Sequence, residues 1–591
     1  MTARANTRRP SPCPQADSCK RRPSVSWLFI FVLLFVAGCG RDSVRGSAKP
    51  QEPSVESAQA LDADGQACLR AILDAGTLPD LRWPDFSDYR DDAKKLYEGY
   101  SYSLPWLQDM QPTPQAQAMI AILQGAGDKG LSPEDYDASR WSGRLSQLRP
   151  AISDPTESDL VQFDVALTIS AMRYVSDLHV GKINPRHLDF EVDVSQRRFD
   201  LPEFLRDKVI HASNVPGALQ SVEPPYPGYQ RTLRALKDYR EMAQADDGES
   251  LPPASHPVKP GDVYPRVPRL ARLLRLTGDL PKDAVSPPGT TYEGALIDAV
   301  KSFQSRNGLT PDGRIDSATL AEMNVPLSRR VRQMELTLER WRWLPDEYAH
   351  SPIVVNIPEF RLRAYDDRFN IGVTMKVVVG KVYGQHETPI FMSTMRSVIF
   401  RPYWSVPISI AKAEVIPALK KDSGYLAKEN MEVVDSRGNA VDSGSVTDEM
   451  FRDVLSGKLS FRQLPGPMNS LGLIKFLFPN EFDVYMHDTP ATELFSRSRR
   501  DFSHGCIRLE KPADLALWVL RNNPGWDEDQ IRAAMNGTTT QEVTLRHPIN
   551  VLIVYGTVIV SEDGVVHFYD DIYGHDATLE QALEKGYPYP R

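Results

Sequence analysis

The sequence predicts a multidomain α+β protein: a helical N-terminal scaffold, a small three-helix unit, and a β-rich C-terminal domain interrupted by an inserted lid. Three observations carry this reading. At 591 residues the chain is too long for a single hydrophobic core. Apolar residues recur at helical spacing through the first part and then give way to short Val, Ile and aromatic runs at strand spacing. A Pro-rich segment, "SLPPASHPVKPGDVYPRVP" from Ser250 to Pro268, separates two helical blocks.

The first element is an address. Lys20, Arg21 and Arg22 precede the apolar run "VSWLFIFVLLFVAG", which ends at Cys39 and is too short to read as a permanent span. Val36 to Cys39 resemble the bacterial lipobox, in which the cysteine is acylated and opens the mature chain. Residues 1–39 are therefore expected to be a lipoprotein signal, with lipidation on Cys39; an uncleaved inner-membrane anchor and ordinary cleavage are the alternatives. Gly40, in place of aspartate, resembles lipoproteins sent to the outer membrane. The long stretch ahead of Lys20 leaves a later start codon open.

Residues 40–65 are polar without apolar period and read as a tether. Residues 66–260 form the helical scaffold: "QAMIAILQGAGDKG" ends in helix-stopping glycines, and "LVQFDVALTISAMRYVSDLHV" is long and apolar enough for a buried helix. His179 and His187, flanking "GKINPR", are read as packed or turn histidines. Residues 261–326 give three helices, the third opened by an Asp cap in "IDSATLAEM". Residues 327–350 form a linking helix. Residues 351–591 carry the β pattern, and about 412–480 are of mixed composition and too long for a plain loop, so they read as a lid.

Composition narrows the function. With a formal charge of -9 and no basic run outside the leader, nucleic acid is excluded as a partner. Beyond Cys39 only Cys68 and Cys506 remain, which excludes a disulfide framework. A free thiol in an oxidising compartment is a liability unless buried or used.

Cys506 lies in "YMHDTPATELFSRSRRDFSHGCIRLE", residues 485–510. Three roles are open to it: inert core filler, zinc ligand with His487 and His504, or nucleophile. Zinc lacks the CxxC or HExxH spacing that would support it. A nucleophile needs an imidazole to take its proton, and His487, at the end of a predicted strand, is the candidate base. Gly505 removes bulk beside the thiol, and the backbone N–H groups around Gly505 and Cys506 are expected to face a developing oxyanion. Arg508, two residues beyond Cys506, shares its side of an extended segment and suits a substrate carboxylate. His504 is placed to orient the pocket, and Ser503 to bind substrate or donate a local hydrogen bond. Asp488 is a candidate orienter of His487, although adjacent strand side chains diverge; a backbone carbonyl is the alternative partner.

Two resemblances give these residues a context. "AVKSFQSRNGLTPDGRIDSATLAEMN", residues 299–324, resembles the peptidoglycan-binding domain of cell-wall enzymes, with a spacer that no longer binds glycan as the alternative. "HDTP", "SHGCIRLE", "TPIF" at 388–391 and "YWSVPISIAKAEVIP" at 403–417 resemble the L,D-transpeptidase (YkuD-like) catalytic domain. "LPGPMNSLGLIKFLFPN", "GLSPEDY" and "HVGKINPRHLD" are similar to its large Gram-negative subgroup, which carries a scaffold and a lid. The resemblance implies that Cys506 is acylated, that His487 is its base, and that His504, Gly505 and Arg508 complete the pocket.

It further implies a ping-pong reaction without cofactor or metal. The thiolate attacks the diaminopimelate carbonyl of a peptidoglycan tetrapeptide stem, D-Ala leaves, and a second stem's amine takes the acyl group in a 3-to-3 cross-link. Water, a D-amino acid or a lipoprotein amine are alternative acceptors, and a silent wall-binding scaffold is the alternative from another class. The implied setting is the Gram-negative periplasm, with lipid anchoring to the outer membrane and a D,D-carboxypeptidase as a possible supplier of donor stems.

Overall fold

The computed structural model describes residues 58–149, 154–188, 190–194, 197, 199–285, 289–350, 352–383, 386–441 and 447–587. The signal segment, Cys39 and most of the expected tether lie outside the described residues.

The scaffold is helical, as expected. Helix α1 (Ala63–Ala75) starts inside the expected tether because Asp62 caps it, accepting from the Asp64 and Gly65 N–H groups. Helix α2 (Pro114–Gln124) stops at Gly125, and α3 (Glu157–Val180) runs through the centre of the scaffold core, opened by a Thr156–Asp159 capping box. Buried polar side chains on α3 are tied to neighbouring elements. Asp164 accepts from Tyr97 Oη at 2.7 Å and from Trp106 N at 2.9 Å, and burial raises its carboxyl to about 7. Helix α4 (Pro227–Ala245) turns back to the rest of the chain.

The small unit is built from α5 (Val267–Leu276), α6 (Ala295–Arg306) and α7 (Ser317–Met323), packed around Leu270, Leu296, Val300 and Leu320. Asp316 caps α7 through Thr319 N at 2.8 Å. Helix α8 (Leu327–Trp343) links this unit to the β domain. It is fastened on both sides: Glu339 accepts from Ile183 N of the scaffold at 3.1 Å, and Arg340 donates to Asp576 at 2.5 Å.

The β domain comprises β1 (Ile353–Asn356), β2 (Arg361–Tyr365), β3 (Ile371–Gly380) and β4 (Phe391–Phe400), then the lid strands β5 (Trp404–Ser405), β6 (Met431–Asp435) and β7 (Leu459–Gln463). After the lid come β8 (Ile474–Leu477), β9 (Met486–His487), β10 (Asp501–Ser503), β11 (Ile507–Leu509) and β12 (Gln541–Val554). The main sheet runs β10-β3-β11-β9-β8-β4-β12-β1-β2, and β2 pairs again with β3, so the sheet closes into a barrel. Met375, Val377, Met395, Phe476, Met486 and Ile507 fill its core.

The insertion begins and ends earlier than the expected 412–480, since Ile474–Leu477 already belongs to the main sheet. Phe400 pairs with Ile474, so everything between β4 and β8 is excursion, and the lid's own core already includes Val406. "YWSVPISIAKAEVIP" reads in sequence as part of the catalytic domain, whereas its Trp404 and Ser405 pair with β7 of the lid.

Candidate active site

The cleft floor follows from strand alternation. Strands β9 and β11 run parallel with Met486 opposite Ile507 and His487 opposite Arg508. Met486 and Ile507 are in the barrel core, so His487 and Arg508 stand on the outer face. Two residues back in each strand, Tyr485 and Cys506 share that face, and Lys475 joins it because β8 pairs Lys475 with His487. These five side chains, with Ser503, His504 and lid residues Trp404 to Ile410, line a cleft of about 920 Å³.

The turn that presents Cys506 is fixed by its neighbours. Gly505 has φ +111°, a conformation L side chains rarely adopt, which is why glycine precedes the cysteine. Thr388, from "TPIF", donates to Gly505 O at 2.8 Å and accepts from Gly380 N at 2.9 Å. Ser503 Oγ donates to Cys506 O at 2.6 Å and accepts from Gly505 N at 3.2 Å.

Of the two backbone N–H groups expected to face an oxyanion, that of Gly505 donates to Ser503 Oγ, whereas that of Cys506 has no acceptor among the described residues. Buried Ser503 clips the turn through the local hydrogen bond that was one of its two expected roles.

Burial sets the protonation states. Loss of hydration, with the Arg508 charge second, pushes His487 down to about 3, so it is a neutral imidazole. Its Nδ1 lies 2.5 Å from the Asp488 carbonyl oxygen, which makes Nδ1 the donor and leaves Nε2 as the free base. The Asp488 carboxylate is turned away, accepting from Leu473 N and Thr489 N at 2.8 and 2.7 Å. Burial pushes the Cys506 thiol up, opposed by the Tyr485 N–H and hydroxyl and by the Lys475 and Arg508 charges. At rest the pair is thiol and imidazole. The cationic surroundings favour thiolate once the proton moves.

Arg508 Nε is buried and has no hydrogen-bond partner among the described residues. His504 points to the roof: its Nε2 lies 2.9 Å from lid Glu414 and 3.5 Å from Lys381 Nζ, with the His386 ring 4.6 Å away. Burial, followed by the Lys381 charge, lowers its pKa. No group of three or more His, Cys, Asp or Glu residues that could hold a metal is found among the described residues.

Sequence reading missed four residues. Tyr485 touches Cys506, receives a hydrogen bond from lid Trp404, and carries Lys475 Nζ 3.6 Å over its ring. The period-two spacing of Tyr485 to His487 was a signal for it. Lys475, Trp404 and Glu414 are brought in by sheet pairing and lid folding, which leave no local mark.

Fold and site together define a chain of helical scaffold, three-helix unit and lidded barrel with a cysteine-bearing cleft. Residues 351–544 match the family model "L,D-transpeptidase catalytic domain", 266–323 the "Putative peptidoglycan binding domain" and 91–236 the "Scaffold domain". The chain thus carries the catalytic domain of the YkuD-like L,D-transpeptidase family together with a peptidoglycan-binding domain. A curated relative, "Putative L,D-transpeptidase" of Haemophilus influenzae, is 29% identical over 290 residues, which span 49% of this chain and 56% of the relative. A solved L,D-transpeptidase structure from Xylanimonas cellulosilytica is 16% identical, with 51% of this chain and 100% of that one covered, at a TM-score of 0.15, too low for the folds to be equated.

Proposed function

We propose that this protein is a periplasmic peptidoglycan L,D-transpeptidase that works through a Cys506 thioester and forms 3-to-3 diaminopimelate cross-links. The observation that supports the reading is the shared face of β9 and β11, on which His487, Cys506 and Arg508 line one cleft.

His487 Nε2 takes the thiol proton as sulfur attacks the donor stem's carbonyl. The Cys506 N–H receives the oxyanion, and the Tyr485 hydroxyl supports the developing thiolate. D-Ala leaves with the proton held by His487, and the acceptor amine then displaces sulfur after giving a proton back to the imidazole. Atoms balance with one D-Ala released per cross-link. The lid limits water, which would otherwise turn the thioester into a tripeptide. The three-helix unit holds the enzyme on its polymer, and a lipid on Cys39 would place it at the outer membrane.

The test is incubation of the mature chain, beside Cys506→Ala, with disaccharide-tetrapeptide, the products being resolved by mass spectrometry. A cross-linked dimer absent from the variant is expected. Monomeric tripeptide alone would make the enzyme a carboxypeptidase, and no turnover would leave a wall-binding scaffold.

A further inference from the structure

The lid presents an open strand edge to the cleft. Its 3-stranded sheet is ordered β5-β7-β6, so among the described residues β5 pairs on one side only. Trp404 lies opposite Gln463 and Ser405 opposite Arg462, and the next residue, Val406, donates its N–H to Phe461 O at 2.9 Å. Bonded and non-bonded pairs alternate along an antiparallel ladder, so the Ser405 N–H and C=O, one residue out of step with Val406, point away from β7. Ser405 is exposed and lines the same cleft as Cys506.

Two features say what fits this edge. Pro402 and Pro407 bracket it, and neither has an N–H to give, so an incoming chain finds a ladder only a few residues long. That suits a short peptide and is too little for edge-to-edge pairing with a second folded protein; prolines are a usual way of blunting such an edge. The position is the second feature. Trp404 donates to the Tyr485 hydroxyl, and Tyr485 touches Cys506, so the open edge begins one residue from a side chain anchored beside the thiol. A peptide whose carbonyl is at the sulfur has main chain within reach of Ser405.

We propose that β5 is a docking edge for the donor peptide. The stem lies along it in extended form, with the Ser405 N–H donating to a stem carbonyl and the Ser405 C=O accepting the amide N–H of the stem's third residue. The identity of this peptide rests on the function proposed above. The lid on this account holds the donor by its main chain as well as limiting water.

Binding is read apart from chemistry by calorimetric titration of the mature chain carrying Cys506→Ala with disaccharide-tetrapeptide, repeated with Ser405→Pro and with Ser405→Ala added. Proline removes the outward N–H at a position where edge strands accept it, and alanine keeps both main-chain groups. The donor is expected to bind about three- to tenfold more weakly to the proline variant than to the alanine variant. A donor N-methylated at the amide nitrogen of its third residue should lose a similar factor on Cys506→Ala alone, and this titration decides if Ser405→Pro unfolds the lid. Equal affinities of folded proline and alanine variants, no loss on N-methylation, or no saturable binding would each overturn the proposal. D-Ala release by the unaltered chain keeps the two questions apart. Release with equal affinities would remove the docking edge and leave the transpeptidase reading standing, whereas weakened binding without release would do the reverse.

Discussion

The floor and the roof of the cleft are built differently. The floor is set by main-chain register: β8, β9 and β11 place Lys475, His487 and Arg508 in one row, and nothing but a slip of the sheet could separate them. The roof is an excursion between β4 and β8 with its own small core, and it meets the floor through side chains, Glu414 on His504 and Trp404 on Tyr485. The two histidines flanking the cysteine show the contrast. His487 is buried and held by a main-chain carbonyl, whereas His504 is held by a lid carboxylate. In the proposed reaction the floor carries the chemistry and the roof controls access to it.

Substitutions should separate the two. Cys506→Ala is expected to abolish D-Ala release, a loss of more than about a thousandfold, since no other thiol lies in the cleft. His487→Gln should cost about a hundredfold or more in acylation rate, measured as single-turnover D-Ala release, with substrate binding retained. Tyr485→Phe keeps the ring under Lys475 and loses the hydroxyl on sulfur; about a tenfold fall in acylation is expected, and an unchanged rate would confine Tyr485 to packing. Glu414→Gln alters the contact between roof and floor at His504 and leaves Cys506 and His487 in place. It should leave acylation within about threefold while raising the proportion of hydrolysed tripeptide over cross-linked product.

His487 also links the floor to pH. Its folded pKa of about 3 lies below the ordinary value of 6.5, so between these pH values the unfolded chain binds the extra proton. The neutral histidine's contribution is thus intact above 6.5 and is lost as pH falls, by up to about 1.4 kcal/mol per pH unit. Denaturant unfolding of the unaltered chain and of His487→Gln across pH 4 to 7 should show a shallower acid decline in the variant.

What the sequence disclosed divides along the same line. The helices of the scaffold, the Asp316 cap, the β pattern and the cysteine segment are local features, written in periodicity and in residue types such as the Gly505 that its φ requires. Alternation also put Arg508 beside Cys506. Barrel closure through β2 and β3 has no local signature. "FDVYMHD" reads as a full strand, yet Asp483 has φ +54° and Asn480 Oδ1 accepts from the Phe482 and Val484 N–H groups at 3.1 Å, so the ladder begins only at Met486. The local hydrogen bond of Ser503 was legible, but not its partners, Gly505 N and Cys506 O, which depend on the shape of the turn. Trp404 and Glu414 reach the site only when the lid folds.

In the proposed reaction Cys506 is the acyl carrier. The most direct measurement is the intact mass of the enzyme after rapid acid quench with disaccharide-tetrapeptide and no added acceptor, followed by peptide mapping. An adduct of the donor lacking D-Ala is expected, confined to the peptide that contains Cys506 and absent from Cys506→Ala. D-Ala release without any adduct, or an adduct on another residue, would contradict it.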